Sequence, residues 1–297
     1  MRTTLTALTE ELKRLKTAGV RNVAVSVESV EQLRRVVEQQ SRVKPAKQSG
    51  AQSVAPAPMR QNPEPAKIAA RSNLPPPPSF ELPDGDKRTR WEALRSLVLE
   101  DETCRANVRA GKQVVFGVGN TDATILFVGE APGAEEERQG EPFVGPAGQL
   151  LTKMIGAMGL KREDVYIGNI MNWRPQMPVD ASGEQYGNRP PTPEEMAYCL
   201  PYLQAQIDVV KPAVIVALGA TAAHGLLGPD AFKTLGEVRG RWAVFADRPL
   251  MVTYHPSYIL RNQSNRSKRM IWEDLLKVME KAGLPISPRQ RGYFLDR

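Results

Sequence analysis

The sequence predicts an α/β protein: a three-layer α/β/α body around a central, mostly parallel four-stranded sheet, preceded by a small N-terminal α/β unit on a Pro-rich linker. Three observations predict it. Short apolar runs alternate with helix-length amphipathic stretches, turn residues and ionisable groups follow three of those runs directly, and the composition changes abruptly between residues 45 and 80.

The elements follow in order. In residues 1–44, Leu5, Leu8, Leu12 and Leu15 recur at helical spacing up to Gly19; Val23, Val25 and Val27 alternate as in a strand, and Val30 to Gln40 resume a helical period. About 40 residues are marginal for independent folding, so this unit is expected to dock, to self-associate or to bind a protein partner. Residues 45–80 carry nine prolines, among them Pro75 to Pro78, and read as an extended linker. Residues 81–297 form the third region. Its strand candidates are Thr124–Val128, Val165–Gly168, Ala213–Leu218 and Leu250–Thr253; its helix candidates are Ala147–Met158, Pro193–Val210, Ala220–Leu227 and Lys268–Ala282. Strands alternating with helices imply a parallel sheet, whose site lies beyond the carboxyl ends of the strands.

Composition narrows the function classes. With 41% hydrophobic and 25% charged residues the chain has enough apolar mass for a real core, and it lacks the long apolar run of a membrane span. Met1 to Glu11 has no apolar stretch of the kind a secretory signal needs. Two cysteines exclude a disulfide framework and fit a reducing compartment, so a cytoplasmic location without membrane contact is expected. The net charge of +7 resides in residues 1–80, with 13 Lys+Arg against 6 Asp+Glu; residues 81–297 hold 27 of each sign. One run in the neutral region, Arg261 to Arg269, has four basic residues and no acidic one, which suits a polyanion.

The stretch GEAPGAEEERQGEPFVGPAGQLL, Gly129 to Leu151, follows the first predicted strand of the body. It has the spacing of neither a dinucleotide fingerprint nor a Walker loop, and its five acidic residues oppose a phosphate. The second strand is followed by NIMNWRP and the fourth by YHPSYILR, so three motifs converge on one sheet edge.

Together these motifs resemble the type-4 uracil-DNA glycosylases, within the wider uracil-DNA glycosylase superfamily, from about Cys104 to Val278. The resemblance implies a repair enzyme that flips uracil out of DNA and hydrolyses its N-glycosidic bond to leave an abasic site. It implies Phe143 as the stacking face, Asn169 as reader of the uracil edge, and Ala131 and Glu136 in the pocket wall. His255 would stabilise the departing base anion, and Glu130 would place the attacking water and oppose the sugar cation. More distant members place an Asp one position later, where this chain has Ala131. Ile259 or Leu260 would be the wedge that fills the vacated stack, with Arg261, Arg266, Lys268 and Arg269 on phosphates. At least two of Glu135, Glu136 and Glu137 are expected on a solvated acidic face, and His224 is expected to be structural.

The family pattern also carries a 4Fe-4S cluster on four cysteines. Here Cys104 and Cys199 stand at two of those positions, Asn107 and Trp173 at the others. Neither Asn nor Trp ligates iron in such clusters, so an intact one is not expected, and Trp173 is expected to fill its volume. The chemistry needs no metal. Two further readings stay open: a glycosylase for hypoxanthine or xanthine, and a catalytically silent DNA-binding scaffold.

Overall fold

A computed structural model describes residues 74–180 and 183–295. The predicted N-terminal unit and most of the linker lie outside the described residues. The end of the predicted linker lies against the body. Leu74 and Phe80 pack on its apolar interior, and the Phe80 ring stacks on Tyr202 at 5.4 Å.

In chain order the described elements are α1 (Lys87–Glu100), α2 (Glu102–Ala106), β1 (Val118–Gly119), β2 (Ile125–Gly129), α3 (Ala134–Gln139), α4 (Pro146–Ala157), β3 (Tyr166–Asn169) and α5 (Pro193–Val210). They continue as β4 (Val214–Leu218), α6 (Ala220–Leu227), α7 (Leu235–Val238), β5 (Trp242–Phe245), β6 (Arg248–Thr253), α8 (Pro256–Arg261), α9 (Asn265–Lys281) and α10 (Pro288–Arg291). The strands form one sheet in the order β1-β3-β2-β4-β6-β5.

The four predicted strands are its parallel centre, β3-β2-β4-β6, with Leu126 beside Tyr166, Phe127 beside Val216 and Val216 beside Met251. The sheet has six strands rather than four because an antiparallel strand is added at each edge. β1 is two residues long, too short to leave a periodic signal. β5 is joined to β6 by Ala246 and Asp247, both at positive φ, as a tight hairpin turn requires; neither is the glycine that would have announced it.

Alternation places the core on both faces. Ile125, Phe127, Val214, Val216 and Met251 meet Leu151 and Ile155 of α4 and Ile271, Trp272 and Leu275 of α9. Leu126, Val128, Ile215, Ala217 and Val252 meet Leu203 and Ile207 of α5 and Ala222, Ala223 and Leu226 of α6. Both faces being covered explains why β2 and β4 read as unbroken apolar runs. Since the four central strands run the same way, their exits fall on one edge. That edge carries Glu130, Ile170, Gly219 and Tyr254.

Candidate active site

A cavity of about 430 Å³ opens at this edge, lined by Glu130, Ala131, Gly133, Glu136, Phe143, Asn169, Gly219, Asn188, His255, Ser257 and Arg261 among others. Two of its lining side chains, Asn169 and Phe143, close over Gly129, the last residue of β2. A Cβ there would stand 2.3 Å from Asn169 Oδ1 and 2.5 Å from the Phe143 ring, so only glycine lets both approach the strand end.

Phe143 takes φ +55°, unusual for a bulky side chain and a strain that the surrounding structure must hold. The hold is visible. Glu136 Oε1 accepts the backbone N–H groups of Val144 (3.1 Å) and Gly145 (2.9 Å), while Oε2 accepts that of Gly133 (3.1 Å). Gly148 of α4 has no Cβ to collide with the Phe143 carbonyl. Glu136 therefore lines the wall while clamping the loop that presents the aromatic ring.

Asn169 ends β3 with only 7% of its surface exposed, and its Oδ1 has no hydrogen-bond partner among the described residues. A buried acceptor left open costs about 1–3 kcal/mol unless a ligand fills it. Its Nδ2 supplies a donor beside that acceptor.

His255 caps α8. Its Nδ1 accepts the Ser257 backbone N–H at 3.2 Å, with the Ser257 hydroxyl at 2.9 Å, which assigns the ring proton to Nε2 and leaves an N–H to donate. Burial, helped by the Arg261 charge, lowers its pKa to about 4, so the ring is neutral at physiological pH. The Phe143 and His255 rings lie 5.6 Å apart. Behind them the β6 exit is anchored from α9, where the buried Asp274 accepts the Thr253 hydroxyl at 2.7 Å and pairs with Arg239.

Burial pushes the Glu130 carboxyl above the usual carboxylate range, against an opposing hydrogen bond from Thr221 in the first turn of α6. Ala131 lines the cavity beside it. Thr221 and Ser257 escaped the sequence reading. Single hydroxyls at helix starts look like ordinary capping residues.

Two expectations need correction. The Glu135–Glu137 run is not largely a solvated face: Glu136 clamps the loop, and Glu137 is buried in an ion pair with Arg174 at 2.8 Å, leaving only Glu135, paired with Arg138, on the surface. Ile259 is not a free wedge. It is 7% exposed and packs in the core, because Pro256 starts α8 and turns its fourth residue inward; Leu260, 42% exposed, points to solvent. Of the four basic residues, Arg261 and Arg266 are exposed, but Lys268 lines an apolar groove. Arg269 donates to the Arg291 and Tyr293 carbonyls at 2.8 and 2.9 Å and pairs with Glu273, which fastens the C-terminal segment. His224 stacks on Phe232 at 3.8 Å, outside the cavity.

The uracil DNA glycosylase superfamily model matches residues 116–276. This chain belongs to that superfamily. It is 46% identical over 169 residues to the type-4 uracil-DNA glycosylase of Thermotoga maritima, covering 56% of this chain and 81% of that protein. To the type-4 enzyme of Archaeoglobus fulgidus it is 40% identical over 202 residues, or 65% of this chain and 94% of the other. A type-5 enzyme from Pyrobaculum aerophilum is 29% identical over 179 residues. The superfamily match spans every cavity residue named above, from Glu130 to Arg261.

The positions at which the type-4 pattern holds iron can be tested for fit. Cys104 and Cys199 are fully buried and free, in one apolar cluster. The Asn107 carboxamide turns back to the Thr103 carbonyl at 2.9 Å. Trp173 is fully buried among Met171, Tyr198, Tyr202 and both cysteines. Two thiols, a carboxamide and an indole do not fit a four-thiolate cluster, and among the described residues no three metal-ligating side chains come together.

Proposed function

We propose that this protein is a uracil-DNA glycosylase that hydrolyses the N-glycosidic bond of deoxyuridine in DNA and leaves an abasic site. The observation that carries it is the unpartnered, buried Asn169 Oδ1 facing a slot walled by Phe143 and His255. A uracil edge presents an N–H between two carbonyls. The carboxamide matches it, Oδ1 accepting from that N–H and Nδ2 donating to a carbonyl.

The target nucleotide leaves the stack, and its base enters the slot against Phe143. As the C1′–N1 bond breaks, the electron pair goes to the base and negative charge reaches its carbonyl oxygen, where the His255 Nε2 proton stabilises it. A neutral donor serves because the charge to be met is on the leaving group. Glu130, as carboxylate, orients a water toward C1′ and opposes the cationic sugar; the water oxygen forms the new bond to C1′ as the bond to N1 is lost, and its proton passes to the Glu130 carboxylate. Exposed Arg261 and Arg266 take strand phosphates, and Leu260 is the apolar residue free to enter the stack.

The chain's own residues account for each of these steps, and Trp173 with the two thiols forms an apolar core in place of the family cluster. The buried, reduced cysteines support a cytoplasmic setting. The test is base release from a uracil-containing oligonucleotide, read by alkaline cleavage of the abasic strand. The native protein should cleave and Asn169→Ala should not; no release from single- or double-stranded substrate by the folded native protein would overturn the reading.

A further inference from the structure

From the charge and position of a second cavity we infer that Arg105, Arg109 and Lys112 form a phosphate site for the DNA strand, on the β1 side of the catalytic cavity and beyond the flipped nucleotide. This rests on the glycosylase reading of the catalytic cavity.

The chain from Thr103 to Thr121 holds three basic residues and no acidic one. The fold gathers all three around a cavity of about 340 Å³, with Gln113 beside them and apolar walls from Leu99 and Val108. No carboxylate lines it, whereas the catalytic cavity has Glu130 and Glu136. The cations keep most of their charge for a ligand. The Arg105 side chain, exposed at the end of α2, has no hydrogen bond or ion pair among the described residues. Arg109 donates through one nitrogen to the neutral Met177 carbonyl at 2.7 Å. Lys112 lies 3.6 Å from Glu184, a largely exposed carboxylate whose hold on it is weak enough for a phosphate to replace.

Topology puts this cavity on the catalytic edge. β1 runs antiparallel to β3, with Val118 beside Ile167, so the residues that precede β1 lie where β3 exits. Val115 donates its N–H to the Asn172 carbonyl at 2.8 Å and accepts from the Asn172 side chain at 3.0 Å, three residues beyond Asn169. Helix α3 serves both cavities. Glu136 lines the catalytic one, while the Glu137 and Arg138 carbonyls accept the backbone and side-chain N–H groups of Gln113 at 2.7 and 2.9 Å.

The sheet order sets the spacing. β1 and β6 lie two strands to either side of β2, whose exit carries Glu130, and neighbouring strands are about 4.8 Å apart, so each flank is roughly 10 Å away. Exposed Arg261 and Arg266 follow β6, and the three cations of the second cavity precede β1. A duplex strand advances about 3.4 Å per step, which brings a phosphate over the second cavity roughly three steps from the target. Contacts of this kind position the strand without reading its sequence.

The test is fluorescence anisotropy with a uracil-containing duplex and the double variant Arg105→Gln, Lys112→Gln. Both positions reach solvent, and Arg109 stays because it fastens Met177. Binding should weaken about tenfold at low salt, and the slope of log K against log salt should fall by about 1.8, two contacts at ~0.9 each. Melting temperature and the rate of uracil release at saturating duplex should stay native. Neutral methylphosphonate linkages about two to four steps from the uracil on one side should weaken the native protein and leave the variant unaffected; on the other side they should weaken both alike.

A native slope in the variant overturns the inference. So do methylphosphonate effects that weaken the variant as much as the native protein on both sides. Displacement of the duplex by micromolar inorganic phosphate, absent from the variant, would assign the cavity to a free anion and also overturn it. The expected slope and one-sided linkage effect with no uracil released would support the strand contact and remove the glycosylase reading alone.

Discussion

Asn169 and Trp173 lie four residues apart on the same strand exit, and theirs are the two side chains with a buried polar atom lacking a partner among the described residues. Their surroundings differ. Asn169 Oδ1 faces a cavity with shifted ionisable groups, a strained aromatic and room for a ligand. Trp173 Nε1 lies in the packed core among Met171, Tyr198, Tyr202 and the two cysteines. The first open atom is a readiness to bind; the second is the cost of filling space with an indole where a smaller residue would leave a hole. An unpaired buried group thus marks a site only when there is volume next to it.

The sharpest way to break this comparison is to remove the chemistry at one end and watch the fold at the other. His255→Ala should lower the rate of uracil release on the order of 10² to 10³-fold while leaving the melting temperature near native, measured under single-turnover conditions. A rate within threefold of native would mean that the imidazole does not stabilise the leaving base.

The converse change is Trp173→Ala. It should cost about 3–5 kcal/mol of stability in chemical denaturation, the range for emptying a buried aromatic site, with the rate per folded molecule near native. The purified native protein should hold substoichiometric iron and lack the broad visible absorbance of a cluster. Stoichiometric iron would show that the region around Cys104 and Cys199 is a metal centre and not packing.

A smaller effect tests the ionisable groups of the cavity. The folded-state pKa of Glu130 is raised, so between its unfolded and folded values the native state binds more protons, and stability falls as pH rises through that window. Glu130→Gln should therefore raise the melting temperature at neutral pH, a gain that disappears near pH 4, while base release is lost. His255 runs the other way. With a folded pKa of about 4 against about 6.5 unfolded, the unfolded state binds the extra proton, so stability falls as pH drops from 6.5 toward 4. In His255→Asn that part of the acid sensitivity should be absent from the melting profile.

Most of the parallel sheet was legible because its strands are apolar on both faces and the helices between them keep a clean period. The edge strands were not: β1 has two residues, and the β5–β6 turn uses Ala246 and Asp247 where a sequence signal needs glycine. Within the cavity, Phe143, Asn169 and His255 could be read from their motifs. Asn188 could not, since an Asn in the proline-rich run GNRPPTP looks like any turn residue until Arg174 is seen holding it. Ile259 and Leu260 were indistinguishable as apolar neighbours until α8 placed one inward.

The sequence by itself determined the sheet, the polar motifs at its edge and the shortage of thiols, because periodicity and residue type are local properties of the chain. The tertiary structure decided which glutamate clamps a loop, which arginine is neutralised and which asparagine keeps an open acceptor. Those outcomes depend on burial and on partners from distant segments, and a hydrogen bond such as Arg174 to Asn188 exists only once the fold has brought both ends together.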